Sequence, residues 1–244
     1  MWNLNRKMRL VGLGGIAIVV AILVAGAVWW SFRNTAADAL AGAADQTASF
    51  YQEELRAFRF NERLLWGPQP MRDFRGGAGS SMVSTVVETV SEGQQVMPDR
   101  ARMRTRTYYI YEGDVENRFV LPVCSEMILI GTKVYTGDCG GPWQVEDVAQ
   151  QAEQSGPQTL EGYWEHIRSL VNVTRIGQES VRDVAADVYQ GEFVDANSDP
   201  HRISVWVGRE DNLIRKLKDE WPLYSLEVEL YDINDSAIVI EEPQ

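Results

Sequence analysis

The stretch RMRTRTYYIYEG, Arg102–Gly113, decides the fold. Arg102, Arg104, Arg106, Tyr108 and Ile110 share one parity; Met103, Thr105, Thr107, Tyr109 and Tyr111 share the other. Two readings compete: a basic arm for nucleic acid, or the wet face of a β-strand. A helix would scatter the three arginines over about 200° of its surface. A strand gathers them into one row, within reach of carboxylates on neighbouring strands. Glu88, Glu227 and Glu229 are the candidate partners.

Charge favours the strand. The 244 residues carry 23 Lys+Arg against 35 Asp+Glu, a net of −12. Setting aside Arg6, Lys7 and Arg9 leaves 20 bases against the same 35 acids, a net of −15. So acidic a domain repels phosphate backbones, which makes nucleic acid a poor partner, and it does not lie flat on anionic lipid.

The three bases set aside precede LVGLGGIAIVVAILVAGAVWWSF, Leu10–Phe32, 23 residues without a charge. At about 1.5 Å per residue this helix reaches roughly 34 Å, enough for a hydrocarbon core of about 30 Å. Trp29 and Trp30 fall where an interfacial belt belongs. A cleaved signal peptide is the rival, with Ala25-Gly26-Ala27 as its cut site. Its apolar core is shorter, about 7–15 residues, and the run here continues past that site. The expectation is an uncleaved transmembrane anchor over 10–32 in the plasma membrane. The positive-inside rule puts a tail, 1–9, in the cytoplasm and one domain, 33–244, outside.

Cys124 and Cys139 are the two cysteines. Outside the cytoplasm they are expected to pair, restraining the unfolded chain by about 3 kcal/mol. The alternative is zinc. Only His166 and His201 are present, neither is near a cysteine in sequence, and no CxxC occurs. Neither a metal nor a cofactor is expected.

Along the outer part, Thr35–Phe58 is Ala- and Glu-rich and reads as a helix. Phe58–Trp66 carries strand signals, Gly67–Ser80 reads as a loop, and Met82–Val90 is dense in β-branched residues. Glu126–Tyr135 reads as a hairpin turning at Gly131-Thr132, bracketed by the cysteines. Val145–Gln154 is a polar helix candidate. Leu160, Trp164, Ile167 and Val171 have the spacing of an amphipathic helix, with Pro157 before its start. Ala186–Val194 reads as a strand, His201–Trp221 as a hairpin turning around Glu210–Asn212, and Ser236–Ile240 as a short last strand. Ser225–Ile233 alternates, with Leu226, Val228 and Leu230 inward and Glu227 and Glu229 outward. This makes nine or ten strands and an α+β class with mostly antiparallel pairing.

Walker, GxGxxG, GxSxG and HExxH motifs are missing. Both histidines read as ordinary surface residues. The carboxylates follow no catalytic spacing; a glycosidase pair remains open, since its acids can be far apart in the chain, but nothing favours it. No enzyme is expected. Asn172-Val173-Thr174 and Asn234-Asp235-Ser236 fit the glycosylation pattern, and are read as structural.

The eight tryptophans carry more information. Trp206, between Val205 and Val207, makes a strand apolar on both faces, which needs cover on both. The helices are few and short, so a broad sheet leaves an apolar cleft. Ile128, Ile130, Trp164, Ile167, Trp206, Leu226, Val228 and Leu230 are the expected lining. A filled core is the competing reading.

The segment order adds a resemblance. After the N-terminal helix comes Pro98-Asp99-Arg100-Ala101-Arg102-Met103, then EMILIGTKVYTG with Trp143 soon after. Gly177–Val181 leads to Val188-Tyr189, and VWVGREDNLIRKL precedes the final LYDIND segment. This order resembles the lipoprotein-sorting carrier superfamily, which includes periplasmic lipoprotein carriers and LppX/LprG-like envelope lipoproteins. The resemblance implies a curved half-barrel sheet wrapped around helices, with an apolar cavity for lipid or lipidated protein. Related envelope lipoproteins often carry a lipobox cysteine after the signal peptide. None stands here, so anchoring falls to Leu10–Phe32, and a tethered chain favours local loading, sensing or hand-off over shuttling.

The alternative is an envelope sensor or protein-interaction module on the same scaffold, similar to the regulator that binds an anti-sigma factor in envelope stress. The anchor and long helix fit it. The cytoplasmic tail of nine residues argues against direct signalling.

Overall fold

The computed structural model describes residues 35–72, 82–111, 123–147, 164, 166–194 and 200–243. The expected span Leu10–Phe32, Leu160, and most of the expected helix Val145–Gln154 lie outside the described residues. Among the described residues no helix is long and apolar enough to cross a membrane.

A helix, α1 (residues 35–53), precedes β1 (Ala57–Arg72), β2 (Met82–Val96) and β3 (Arg100–Tyr111). Then come β4 (Cys124–Ile130), β5 (Lys133–Asp138), β6 (Gln144–Asp147), β7 (Val171–Val181) and β8 (Val184–Val194). β9 (Pro200–Gly208), β10 (Ile214–Trp221) and β11 (Tyr224–Tyr231) complete one sheet, in the order β6-β5-β4-β3-β2-β1-β11-β10-β9-β8-β7. Every neighbouring pair is antiparallel. The sheet is open, with β6 and β7 at its edges, so it is half a barrel rather than a closed one. Two meanders run outward from the centre, where the first strand meets the last.

The central register follows from side-chain parity. Phe60 faces Leu230, Glu62 faces Val228 and Leu64 faces Leu226. The face carrying these residues packs against α1 and is the inner face. Leu40, Ala43, Ala44 and Thr47 are buried, at the i, i+3, i+4, i+7 spacing of one helical stripe. The two alanines let the helix approach closely. Thr47 Oγ1 donates to the Ala43 carbonyl at 2.7 Å and accepts from the Ile214 amide at 3.0 Å, pinning α1 to β10.

The helix is shorter than Thr35–Phe58. Asn234 accepts from the Arg56 and Ala57 amides at 2.6 and 3.3 Å, so the chain has already turned into β1, and Phe58 and Phe60 point inward as strand residues. Tertiary pairing overrides the helical composition here. Three further expectations change in the same way. Residues 67–72 of the expected loop extend β1, after a register shift between Trp66 and Gln69. Residues 145–147 pair with β5 as β6 instead of starting a helix. Val171 leaves the helical stripe for edge strand β7, where it is 55% exposed.

The expected strand Ser236–Ile240 is an irregular strap. Its Ile238 and Ile240 are buried nonetheless, and Arg100 Nη1 donates to the Ile240 carbonyl at 3.0 Å. The strap lies on the outer face, over Ile128 and Tyr135.

The opening stretch is the strand its parity asked for. Arg102, Arg104 and Arg106 stand on the outer face of β3. Arg104 Nε donates to Glu126 at 2.6 Å, and Arg102 approaches the same carboxylate at 3.7 Å. The three glutamates named as partners pair elsewhere: Glu88 with Arg63, Glu227 with Lys216, Glu229 with Arg182. The reason is register, because Glu126 on adjacent β4 stands opposite Arg104.

The Cys124–Cys139 disulfide is formed, with a Cα–Cα distance of 5.3 Å, and ties together the ends of the β4–β5 hairpin.

Candidate functional site

The inner face has two unequal halves. On β9–β11, Ile203, Val205, Val207, Leu217, Leu226, Val228 and Leu230 are each 4% exposed or less. Trp164, Ile167, Leu170 and α1 cover them. On β2–β4 the inward positions are mixed: Thr85, Ser91, Ala101 and Leu129 are buried, while Val87, Thr89, Met103, Thr107, Tyr109 and Met127 are only half-buried. Of these, Met103 alone packs against the main core among the described residues. The border between the halves is Phe60, whose ring lies across β2 at Gly93. A Cβ on Gly93 would collide with Phe60 Cζ and crowd the Arg102 carbonyl at 2.8 Å, so only glycine admits that ring.

Five of the eight expected lining residues come together in this core: Trp164, Ile167, Leu226, Val228 and Leu230. Ile128 and Ile130 lie on the outer face, with Val96, Tyr135, Trp143 and Ile240. Trp206 lies in a third cluster, also outward, with Val181, Ala186 and Val188. Its indole N–H donates to Glu179 at 2.8 Å, and the Lys216 ammonium stands 4.9 Å over its ring. Strands apolar on both faces give no parity signal, and the cover on the outer face comes from the strap and from β7–β8.

One end of the inner face carries an aromatic ladder. His166 stacks on Phe193 at 4.6 Å between centroids, Phe193 meets His201 edge-on at 5.7 Å, and His201 packs on Trp221 at 4.4 Å. Trp221 packs on Tyr224 at 3.7 Å. His201 is therefore not an ordinary surface residue, whereas His166 is exposed as expected, with its ring on Phe193. His201 Nδ1 lies 3.0 Å from Asp219 Oδ1, and Asp219 is 3% exposed. Burial pushes the Asp219 carboxyl up, and the His201 hydrogen bond and charge pull it partly back. Glu62, inward on β1, is also pushed up by burial. The Tyr224 phenol is raised by burial first and then by the charges of Glu62 and Asp219. Parity could have found this rim: His201 shares its face with Ile203 and Val205, and Asp219 shares its face with Leu217.

The outer face offers a different hollow, about 340 Å³, lined by Glu92, Gly93, Gln94, Arg102, Arg104, Glu126 and Tyr231. Its two arginines and two glutamates balance, and this polar lining does not suit an acyl chain.

No family model matches the chain, and no curated protein matches it. Among solved structures it is similar to the lipoprotein LppX of Mycobacterium tuberculosis, at 10% identity over 83% of this chain and 99% of that one, with a TM-score of 0.47. It is similar to LprF from Mycobacterium bovis, at 10% identity over 86% of this chain and 97% of that one, with a TM-score of 0.49. A LolA superfamily protein from Nitrosomonas europaea matches at 10% identity over 81% of this chain and 92% of that one, with a TM-score of 0.23. At these identities and scores nothing about ligand or role passes from them to this chain.

Proposed function

We propose that this chain is a membrane-anchored extracytoplasmic binding protein. It holds an apolar ligand, a lipid or the acyl part of a lipidated protein, non-covalently on the inner face of its open sheet. The observation that carries the reading is the unequal cover of that face, sealed over β9–β11 and half-open over β2–β4. The ligand completes the interior, with Trp164, Ile167, Leu226, Val228 and Leu230 as its backing and Met103 and Met127 as adaptable contacts.

Leu10–Phe32 tethers the protein, residues 1–9 stay in the cytoplasm, and residues 33–244 work outside. The Cys124–Cys139 bridge supports an oxidising compartment. Magnitudes support tethering. Burying ten methylenes gains about 8 kcal/mol, and immobilising the ligand costs at least about 4 kcal/mol. The remainder, at most about 4 kcal/mol, is a millimolar affinity or weaker. A chain held at the membrane meets its ligand at high local concentration and releases it readily, which suits local hand-off.

The test is native mass spectrometry of the full-length chain released from detergent micelles, with extraction of bound lipid. Partial occupancy by co-purifying lipid is expected, rising toward one ligand per chain as fatty acid is added to about millimolar concentration. An empty protein that also takes up no added fatty acid overturns the reading.

A further inference from the structure

Two polar groups are buried where the described residues give them no acceptor: the Tyr51 hydroxyl and Arg215 Nε. The fold places both by identifiable means. β10 shifts register against β9 between Ile214 and Lys216, so Arg215 is the extra residue of a β-bulge, a device that re-aims a side chain. The Arg215 side chain is only 12% exposed. Asp211 accepts from one of its terminal nitrogens, leaving Nε without a partner.

Helix α1 lies along this bulge. Thr47 accepts from the Ile214 amide at 3.0 Å, and Gln46 donates to the Asp211 carbonyl at 2.8 Å. Tyr51 follows Thr47 by one helical turn. Its ring packs on Phe58 at 5.9 Å and on Trp164 at 5.8 Å, within the main core and next to Phe60. Burial pushes the Tyr51 phenol up, and the nearby Arg215 charge pulls it partly back, so the hydroxyl stays protonated at neutral pH.

Two donors in an apolar setting call for an acceptor, and the guanidinium disfavours a cation. We propose that Tyr51 and Arg215 form the polar end of the ligand site and receive the carbonyl oxygen, acid or ester, of an acyl ligand. This rests on the lipid-binding reading and adds to it where the headgroup goes.

The experiment cross-links a diazirine-bearing hexadecanoate to the full-length chain in its membrane. The competitors are hexadecanoate, its methyl ester and hexadecyltrimethylammonium, which has the same chain and no acceptor. The oxygen-bearing competitors are expected to act at about tenfold lower concentration than the ammonium, the size of one charge-assisted hydrogen bond. Competition by acid and ester alike assigns recognition to the carbonyl; competition by the acid alone assigns it to the Arg215 charge, and either supports the proposal. In Tyr51→Phe, hexadecanoate is expected to weaken about tenfold with the ammonium unchanged, and the ligand-free melting temperature stays equal or rises. Wild-type competition by Tyr51→Phe, a lowered melting temperature or preference for the ammonium overturns this inference and leaves lipid binding standing. Absence of any cross-link overturns both.

Discussion

His201 and Asp219, on neighbouring strands, meet at 3.0 Å on the inner face, and the carboxylate is almost wholly enclosed. The carboxyl of Asp219 is raised in the fold chiefly by burial, so its ionised form is disfavoured there. The stability linked to it is present below the ordinary Asp range, near about 3.9, and is lost as pH rises through the folded value. His201 limits that loss. His201→Phe should therefore destabilise the protein by about 1–3 kcal/mol at pH 7. The penalty should shrink as pH falls toward the ordinary Asp range. Urea unfolding at pH 7 and pH 4 measures both; an equal penalty at the two values would mean that His201 acts through packing alone.

Glu62 gives a cleaner titration. Its carboxyl is raised by burial, and no hydrogen bond or ion pair offsets this among the described residues. The stability linked to it is fully present below the unfolded Glu value, about 4.3, and is lost as pH rises through the folded value. Glu62→Gln should raise the melting temperature at pH 7, and the gain should vanish below about pH 4. Thermal unfolding across pH reads this directly.

The two halves of the inner face should answer mutation differently. Leu230→Ala, at a site 2% exposed in the sealed half, should cost about 2–5 kcal/mol. Met127→Gln, in the half-open part, should cost well under that and instead lower the fraction of protein that co-purifies with lipid. Denaturation midpoints and native mass spectra of the two variants separate stability from binding.

The disulfide closes a loop of sequence separation 15. Replacing Cys124 and Cys139 together by Ser should cost about 3 kcal/mol. Wild-type protein unfolded in the presence of reductant should show a similar loss, and the double variant should show no further loss on adding reductant.

Where one face of a strand is wet, the fold was legible. Arg102–Tyr111 and Ser225–Tyr231 alternate cleanly, and their parity placed the arginine row outside and Leu226, Val228 and Leu230 inside. Where both faces are apolar, parity is silent. Ile128 and Trp206, expected to line the cavity, stand on the outer face instead, where their cover comes from distant segments, the 238–240 strap and β7–β8. The end of α1 was hidden for a related reason: it is decided by Asn234, far along the chain, acting on Arg56 and Ala57. The candidate site was half-legible. Its apolar backing followed from alternation, while the rim of His201, Asp219 and Trp221 and the pair Tyr51 and Arg215 depend on cross-strand proximity and on a bulge, neither of which leaves a local pattern.

The pairing of the first strand with the last has a consequence for biosynthesis. Phe60 stands opposite Leu230, 170 positions later (230 less 60). Each arm of the sheet is a run of sequential hairpins that form locally, but the seam between the arms waits for the final strand, a non-local closure of the slow kind. During synthesis the β1–β6 arm must persist with one unpaired side until residue 231 emerges. A chain truncated after β10 would have two arms and nothing to join them.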